Sequence, residues 1–321
     1  MSEAIESEEV KTYPELVKLI RIKLENYLQD KLSSFRDSIS SLPSISGYRV
    51  EPRFWFRSMA AVDAGSFTIT MAEKHVSVIS ALAILRSDSG FRRRIMSPMI
   101  IEQRRNEKDH DFMKRVDMCR ESLLMKLAEK IVDEKPELIL VDGPLISIPL
   151  FEEEYLDAVR SLIRRAQEED VILAGFVKRP QSEFIASSLN LSFMDSVILS
   201  SCLKGSECYP WPAEERLDDR ARLMLRYTYL KTSNDHRILP FRIDFPSHVD
   251  EADQLKVLSH IMATCDPVKG VPAMLLMVDE EVKLSRRLVK DIYQEAVERL
   301  MGRYPRNSWG AMMTRWGEFW L

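Results

Sequence analysis

Two short apolar runs in this chain each end in an aspartate that is closely followed by glycine. The first run ends at Asp63, within Asp-Ala-Gly-Ser, and the second ends at Asp142, within Val-Asp-Gly-Pro. Such runs are typical of buried strands, so each carboxylate is expected where a strand leaves the core, although an aspartate in a simple turn is the alternative. Two acids at neighbouring strand ends can hold a divalent cation, the usual catalyst of phosphodiester hydrolysis. The pair therefore predicts a metal centre at one edge of a sheet.

The composition is typical of a soluble globular protein, with 45% apolar and 30% charged residues among 321. No stretch approaches the roughly 18 apolar residues of a membrane span, and the acidic first residues lack a signal-peptide core. We therefore expect a cytoplasmic protein without a membrane segment. The four cysteines form no CxxC pair and the five histidines form no HExxH pattern, which disfavours zinc chemistry.

Three parts are predicted along the chain. Residues 1–50 form an N-terminal helical extension, 51–303 a nuclease domain and 304–321 an aromatic tail. The tail contains Trp309, Trp316, Phe319 and Trp320, which either bind a partner or fold back on the domain.

The apolar periodicity predicts a mixed α/β order. Strands are expected at 59–64, 67–72 and 75–85 as a meander, then at 138–141, 171–177, 226–231 and 238–245, the last with one solvated face. Helices are expected at about 8–40, 109–134, 152–168, 181–189, 216–225, 250–264, 271–284 and 286–302. This order is that of a ribonuclease H-like mixed sheet flanked by helices, with an N-terminal helical extension and late C-terminal helices.

Glu121 is the candidate third metal ligand. It lies opposite the main apolar stripe of its predicted helix, yet Met118, Met125 and Ala128 flank it at helical spacing. A carboxylate among apolar neighbours is costly unless it is paired or binds a metal, whereas a surface glutamate is the alternative. Glu102 and Glu107 are weaker rivals.

Further candidates come from later in the chain. Asp279 directly follows the mostly apolar segment 272–278, although Glu280 and Glu281 compete for its role. Lys178 ends a predicted strand, where a lysine can hold a phosphate or orient water. Tyr229 and Lys231 lie on a later strand and are candidates for contact with a nucleic-acid backbone.

The ordered motifs resemble those of NurA, the archaeal nuclease that works with the HerA hexameric ATPase. The resemblance runs from about residue 55 to about 290. It rests on Ala-Val-Asp-Ala-Gly-Ser at 61–66, Arg-Glu at 120–121, Leu-Val-Asp-Gly-Pro at 140–144, Gly-Phe-Val-Lys at 175–178, Tyr-Leu-Lys at 229–231, and Gly-Val-Pro with Val-Asp at 270–279.

The resemblance implies a ribonuclease H-like fold and a manganese-dependent DNA nuclease, with magnesium as the alternative ion. It implies 5′→3′ degradation of ends, endonucleolytic cutting of single strands, and a role in end resection and double-strand break repair. It also implies a homodimer that docks on a HerA-type ATPase. Asp63, Glu121 and Asp142 are the metal ligands it implies, supported by Lys178 and Tyr229.

Two departures from the family pattern affect this interpretation. Ala64 is inserted into a motif that usually reads Asp-Gly-Ser, and the late motif ends in Val278-Asp279 where Ala-His is usual. Since aspartate also binds manganese, Asp279 fits a retuned four-acid site. The opposing interpretation is a decaying site in a non-catalytic paralogue.

The resulting hypothesis is two-metal phosphodiester hydrolysis. Asp63 and Asp142 share the ions, Glu121 and Asp279 hold one each, and Lys178 offsets charge on the phosphate. The alternative from another class is a catalytically silent DNA-binding or adaptor subunit that regulates the ATPase. A ribonuclease H-like enzyme that cuts RNA or hybrids is a third possibility.

Overall fold

A computed structural model describes residues 12–283 apart from 41, 43, 71–73, 148–151 and 219–220, together with scattered positions between 288 and 299. The described elements, in chain order, are α1 (Tyr13–Ser40), β1 (Tyr48–Arg49), β2 (Met59–Thr70), β3 (His75–Ser87), β4 (Gly90–Ile95), β5 (Met99–Glu102), α2 (Asp109–Val132), β6 (Leu138–Asp142), α3 (Glu153–Glu168), β7 (Ile172–Val177), α4 (Phe184–Ser188), α5 (Asp195–Cys202), β8 (Glu207–Asp218), β9 (Leu223–Lys231), β10 (Phe241–Pro246), α6 (Glu251–Thr264) and α7 (Ala273–Val282). The predicted aromatic tail and most of the predicted helix at 286–302 lie outside the described residues.

All ten strands belong to one mixed sheet. The strand order is β1-β8-β9-β10-β7-β6-β2-β3-β4, and β5 pairs with β3. β2, β6 and β7 run parallel to one another, whereas the other pairs are antiparallel. The parallel strands lie near the middle of the sheet, where both faces are covered.

Helices cover the two faces of this sheet. On one face, Ala60, Val62, Ile139 and Val141 pack in a core shared with α2 and α3. On the other face, alternate residues of the same strands pack in a core shared with α6 and α7. Burial on both sides explains why the central strands are apolar runs without alternation.

The predicted three-stranded meander at 59–85 is a hairpin of two longer strands, β2 and β3. β2 continues from Met59 through Gly65 to Thr70, and every residue of it pairs with β3. The prediction of a break after residue 64 and a separate strand at 67–72 was therefore wrong. Gly65 stays within the ladder, where it pairs with Ser80 between the pairs of Ala64 and Ser66.

Three predicted elements in the second half also differ. Residues 216–225 were predicted helical, but they span the end of β8 and the start of β9, where Glu215 pairs with Arg226 across the ladder. The helix predicted at 181–189 is reduced to α4, followed by α5. The last strand starts at Phe241, and its predicted solvated face is buried. The Arg242 guanidinium pairs with the Asp244 carboxylate at 2.7 Å, which compensates both charges away from water.

Candidate metal centre

Asp63 and Asp142 are neighbours because their strands are parallel and in register. Val62 of β2 lies opposite Val141 of β6, so each aspartate is the next residue along its own strand. The buried residues before them fix both backbones, and the carboxylates emerge where the sheet core ends. The backbone N–H of Ala64 donates to Asp63 Oδ1 at 2.7 Å, which orients that carboxylate.

Asp279 reaches the same place from α7, which packs across β2. Gly65 allows this close approach, because a Cβ atom there would lie 2.8 Å from the backbone oxygen of Val282. Carboxylate oxygens of Asp63, Asp142 and Asp279 all lie within 4.8 Å of one another. Three candidates that are far apart in sequence therefore form one cluster.

Lys178 extends from the end of β7 into this cluster. Its Nζ donates to Asp142 Oδ2 at 2.5 Å and lies 3.9 Å from Asp279 Oδ2. Because β7 is parallel to β6 and Asp142 pairs with Phe176, the end of β7 brings the lysine beside the aspartate. The sequence prediction placed Lys178 beside the acids, and the structure does the same.

Lys283 also contacts the cluster, although the sequence analysis did not single it out. Its Nζ donates to Asp279 Oδ2 at 2.9 Å and to Glu280 Oε1 at 3.0 Å. The spacing of four residues from Asp279 was the available signal, since residues four apart are neighbours on a helix.

The loop that follows Asp142 is held by a second buried acid. The backbone N–H of Leu145 donates to Asp244 Oδ2 at 3.4 Å, and Asp244 is itself paired with Arg242. Gly175 keeps the neighbouring strand clear of this loop, because a Cβ there would lie 2.8 Å from the oxygen of Gly143. The alternation of Arg242 and Asp244 was visible in the sequence, but it did not predict that Asp244 would bind the loop after Asp142.

The cluster makes ionisation of the aspartates costly. Burial, reinforced by the negative charge of Asp142, raises the pKa of Asp63 to about 7. Burial also raises the pKa of Asp142, against the opposing effect of the Lys178 ammonium group. Grouped carboxylates whose anionic forms are disfavoured gain most from a cation that neutralises them together.

Glu121 lies on α2 and is not one of the three residues whose oxygens cluster. Arg120 Nη2 donates to Glu121 Oε1 at 2.8 Å, whereas the buried Oε2 has no hydrogen-bond partner within the described part of the chain. Burial raises the pKa of Glu121, and its charge in turn raises the pKa of Asp142. The surface alternative for Glu121 is excluded by this burial, and the unpartnered oxygen is one that a cation could satisfy.

These residues fit a hard divalent cation. Two oxygen ligands of such an ion lie at most about 4–5 Å apart, and the three aspartate oxygens, within 4.8 Å of one another, satisfy that limit. Carboxylate oxygen is also the donor type that magnesium and manganese prefer. The residues that could hold the ion are Asp63, Asp142 and Asp279, and Glu121 is the buried acid whose charge acts on Asp142.

Tyr229 and Lys231 are not available to DNA in this structure. Tyr229 has 0% exposure, and its hydroxyl donates to Asp195 Oδ2 at 2.6 Å. Lys231 is 3% exposed, and its Nζ donates to Ser200 Oγ at 3.0 Å. The prediction of nucleic-acid contact fails because β9 is an inner strand with α5 packed against it.

Comparison with known proteins decides the family. The sequence model of the NurA domain matches residues 57–284, which is more than half of the chain. The chain belongs to the NurA family. A search among curated proteins finds no match.

Solved NurA structures share the fold. The NurA nuclease from Sulfolobus solfataricus is 16% identical, with a TM-score of 0.66 over 92% of this chain and 99% of that chain. A structure of NurA with manganese is 11% identical, with a TM-score of 0.55 over 88% and 99% of the two chains. A structure of NurA bound to dAMP and manganese is 12% identical, with a TM-score of 0.53 over 92% and 98%.

The family and the fold agree with the sequence prediction. The mixed sheet flanked by helices confirms the predicted ribonuclease H-like class. No helix among the described residues is both long enough and apolar enough to cross a membrane.

Proposed function

We propose that this NurA family protein is a metal-dependent DNA nuclease. The observation that carries the proposal is the cluster of Asp63, Asp142 and Asp279 at one edge of the sheet, with their oxygens within 4.8 Å of one another. A divalent cation bound there would activate water and offset the charge of a phosphodiester. Two of the related NurA structures are described with manganese, one of them also with dAMP, which supports manganese as the ion and DNA as the substrate.

Each residue of the cluster has a separate task in this proposal. Asp63 and Asp142, fixed by the two parallel strands, provide the rigid side of the cation site. Asp279 closes it from α7, and Glu121 contributes its unpartnered oxygen. In the two-metal form of the proposal, Asp63 and Asp142 share the ions while Glu121 and Asp279 hold one each.

Lys178 has two tasks. In the metal-free protein its ammonium group compensates the negative charge of Asp142, through the 2.5 Å contact. With cation and substrate bound, the same ammonium group is placed to donate to a phosphate oxygen. Lys283 compensates Asp279 in the same way, at 2.9 Å.

The proposal extends to the cellular partners of this family. We propose a homodimer that processes DNA ends together with a HerA-type hexameric ATPase, in end resection and double-strand break repair. Membership of the NurA family supports this extension. Pull-down and co-sedimentation of the full chain with such an ATPase would test it.

Cleavage of end-labelled DNA is the deciding experiment. Single-stranded and double-stranded DNA, with RNA and hybrid controls, are incubated with manganese, magnesium or EDTA. We expect manganese-dependent cutting of DNA by the wild type and at least a hundredfold loss in Asp63→Asn and Asp142→Asn, as is usual when a metal ligand is removed. Asp30→Asn, at an exposed acid of α1 that belongs to neither the cluster nor any other site described for this chain, is the matched control.

The opposite result would support a catalytically silent adaptor. If the wild type does not cut DNA, alone or with a HerA-type ATPase, the nuclease proposal fails. Stimulation of the ATPase that persists in Asp63→Asn and Asp142→Asn would then show the adaptor role.

A further inference from the structure

A groove bordered by aromatic and basic side chains lies near the start of β2, at the other end of its buried segment from Asp63. It has a volume of about 480 Å³ and is lined by Phe54, Trp55, Phe56, Arg57, Arg86, Ser87 and Asp88. Arg86 is paired with Met59 in the β2–β3 ladder, whereas Asp63 is four residues further along β2. Four residues of strand span about 13 Å, so the groove is separate from the carboxylate cluster.

The first two aromatic side chains of this groove along the chain are exposed to solvent. Phe54 is 68% exposed and Trp55 is 38% exposed, while the next residue, Phe56, is buried in the core. The guanidinium group of Arg53 stacks on the Trp55 ring at 4.1 Å. Adjacent exposed aromatic rings are unusual on a soluble protein and indicate a binding surface.

The backbone that presents these rings is fixed. The N–H groups of Trp55 and Phe56 both donate to Nδ1 of the buried His260, at 3.1 and 3.2 Å. The N–H groups of Arg57 and Ser58 both donate to Glu137 Oε2, at 2.6 and 2.8 Å. The rings are therefore held out by an ordered segment, and little conformational entropy would be lost when a ligand stacks on them.

The guanidinium groups in and beside the groove carry positive charge. Arg86 Nη2 donates to the backbone oxygen of Phe56 at 2.6 Å, and Arg53 stacks on Trp55. Among the described residues, no ion pair joins Arg53, Arg57 or Arg86 to a carboxylate. Asp88 is the one acid of the lining. Guanidinium groups beside exposed aromatic rings suit a ligand with both phosphates and planar bases.

We propose that this groove is an accessory binding site for single-stranded nucleic acid, with Phe54 as a stacking platform and Arg57 as a phosphate contact. The inference rests on the proposed function, because it assigns part of the DNA path of the same enzyme. The site is remote from the acids, so it affects how long strands are held and not the chemistry of cleavage.

Binding in EDTA tests the groove without cleavage. The anisotropy of a labelled 20-nucleotide oligo-dT is measured with the full chain at several salt concentrations. Phe54→Ala is expected to weaken binding about tenfold, and Phe54→Tyr to restore it, because stacking needs only an aromatic face. Arg57→Gln is expected to reduce the slope of log K against log salt by about 0.7, the value for one phosphate contact on a single strand.

Two surface changes away from the groove serve as controls. Tyr27→Ala removes an exposed aromatic ring from α1, and Arg105→Gln removes an exposed guanidinium group; neither should alter binding. Equal affinity of Phe54→Ala and wild type, or no recovery in Phe54→Tyr, would overturn the proposal. A change in oligomeric mass without a change in DNA affinity would show a protein interface instead.

A small substrate separates this inference from the proposed function. Bis(p-nitrophenyl) phosphate is too short to reach from the acids to the groove. With manganese, Phe54→Ala and Arg57→Gln should hydrolyse it at the wild-type rate, whereas Asp63→Asn should not. If Asp63→Asn hydrolysed this substrate normally, the proposed nuclease site would be wrong and the groove proposal would be unaffected. If Phe54→Ala and Phe54→Tyr lost hydrolysis, the proposal that the groove acts separately from the cleavage chemistry would be wrong.

Discussion

At the residue scale, the acids of the cluster owe their properties to burial and to one another. Asp63 is half-buried and faces the charge of Asp142, so its pKa rises to about 7. Lys178 opposes this effect by placing a positive charge against Asp142. The metal-free site therefore resists full ionisation, and a cation competes with protons and with a lysine for the same oxygens.

The first prediction concerns pH. Asp63 has a higher pKa in the folded chain than its ordinary value of 3.8, so the folded state holds its proton more tightly than the unfolded state does. In EDTA, the free energy of unfolding should therefore fall as pH rises from about 4 to about 7. Asp63→Asn should reduce this dependence, leaving the part due to Asp142, whose pKa is also raised. The variant should be roughly 1–3 kcal/mol more stable than wild type at pH 8, and equal to it at pH 4.

Urea unfolding at several pH values measures this effect. Asp88→Asn, an exposed acid, provides the control and should follow the wild-type profile. If the free energy of unfolding of Asp63→Asn fell between pH 4 and pH 7 by as much as that of wild type, the assignment to Asp63 would be contradicted.

The second prediction concerns Lys178. Replacing Lys178 with Met removes the ammonium group that competes with a cation for Asp142, so manganese should bind more tightly at pH 8, by about tenfold or ~1.4 kcal/mol. Cleavage of DNA should nevertheless fall, because the phosphate loses a donor. Calorimetric titration with manganese measures the first effect. Lys135→Met, which breaks the pair with Glu169 on the surface, is the matched control; equal manganese affinity in both variants would argue against competition.

At the element scale, the geometry of the site depends on where α7 meets β2. The end of α7 lies against Gly65, and the Ser80 side chain of β3 also faces the carbonyl of Val282 at 3.5 Å. Asp279 is one turn back from this contact, so its distance from Asp63 depends on how closely the helix packs on the hairpin.

The third prediction is that Gly65→Ala separates α7 from the hairpin. The added Cβ would lie 2.8 Å from a backbone oxygen, which side-chain rotation cannot relieve. We expect a loss of about 1–3 kcal/mol in the free energy of unfolding, as for other overpacked sites, together with weaker manganese binding. Ser66→Ala, at the next residue of β2, is the control. Wild-type manganese affinity in Gly65→Ala would show that α7 does not set the site.

At the scale of the whole molecule, one sheet connects the cluster and the groove. The same strand, β2, begins beside the groove and carries Asp63 at the end of its buried segment. Cores on both faces of the sheet hold its parallel strands in register. Binding of a cation at the cluster should therefore stabilise the entire domain, since the unfolded chain cannot bring the three aspartates together.

The fourth prediction is a cation-dependent melting temperature. At a manganese concentration of about 100 times Kd, linkage predicts stabilisation of about 2.7 kcal/mol, or a rise of several degrees. The double variant Asp63→Asn with Asp142→Asn should show no rise, and removal of the metal with EDTA should reverse the rise in wild type. Differential scanning fluorimetry measures both. If neither manganese nor magnesium changed the melting temperature of the wild type, the proposed metal centre would be wrong.

The central strands, the two aspartates at their ends and the family motifs could all be predicted from the amino-acid sequence. These follow from local signals, because a strand buried on both faces must be apolar and a carboxylate must lie where that burial ends. Lys178 and Asp279 were also predictable candidates, since each directly follows an apolar element.

Which candidates meet and which are buried depends on how the elements pack, and the sequence did not predict it. The register of β2 against β6 brings Asp63 beside Asp142, and the packing of α7 selects Asp279 over Glu280 and Glu281. The packing of α5 against β9 buries Tyr229 and Lys231, so that residues expected to contact DNA are part of the core. The distances between these side chains depend on contacts between segments far apart in the chain, and no local pattern of residues encodes them.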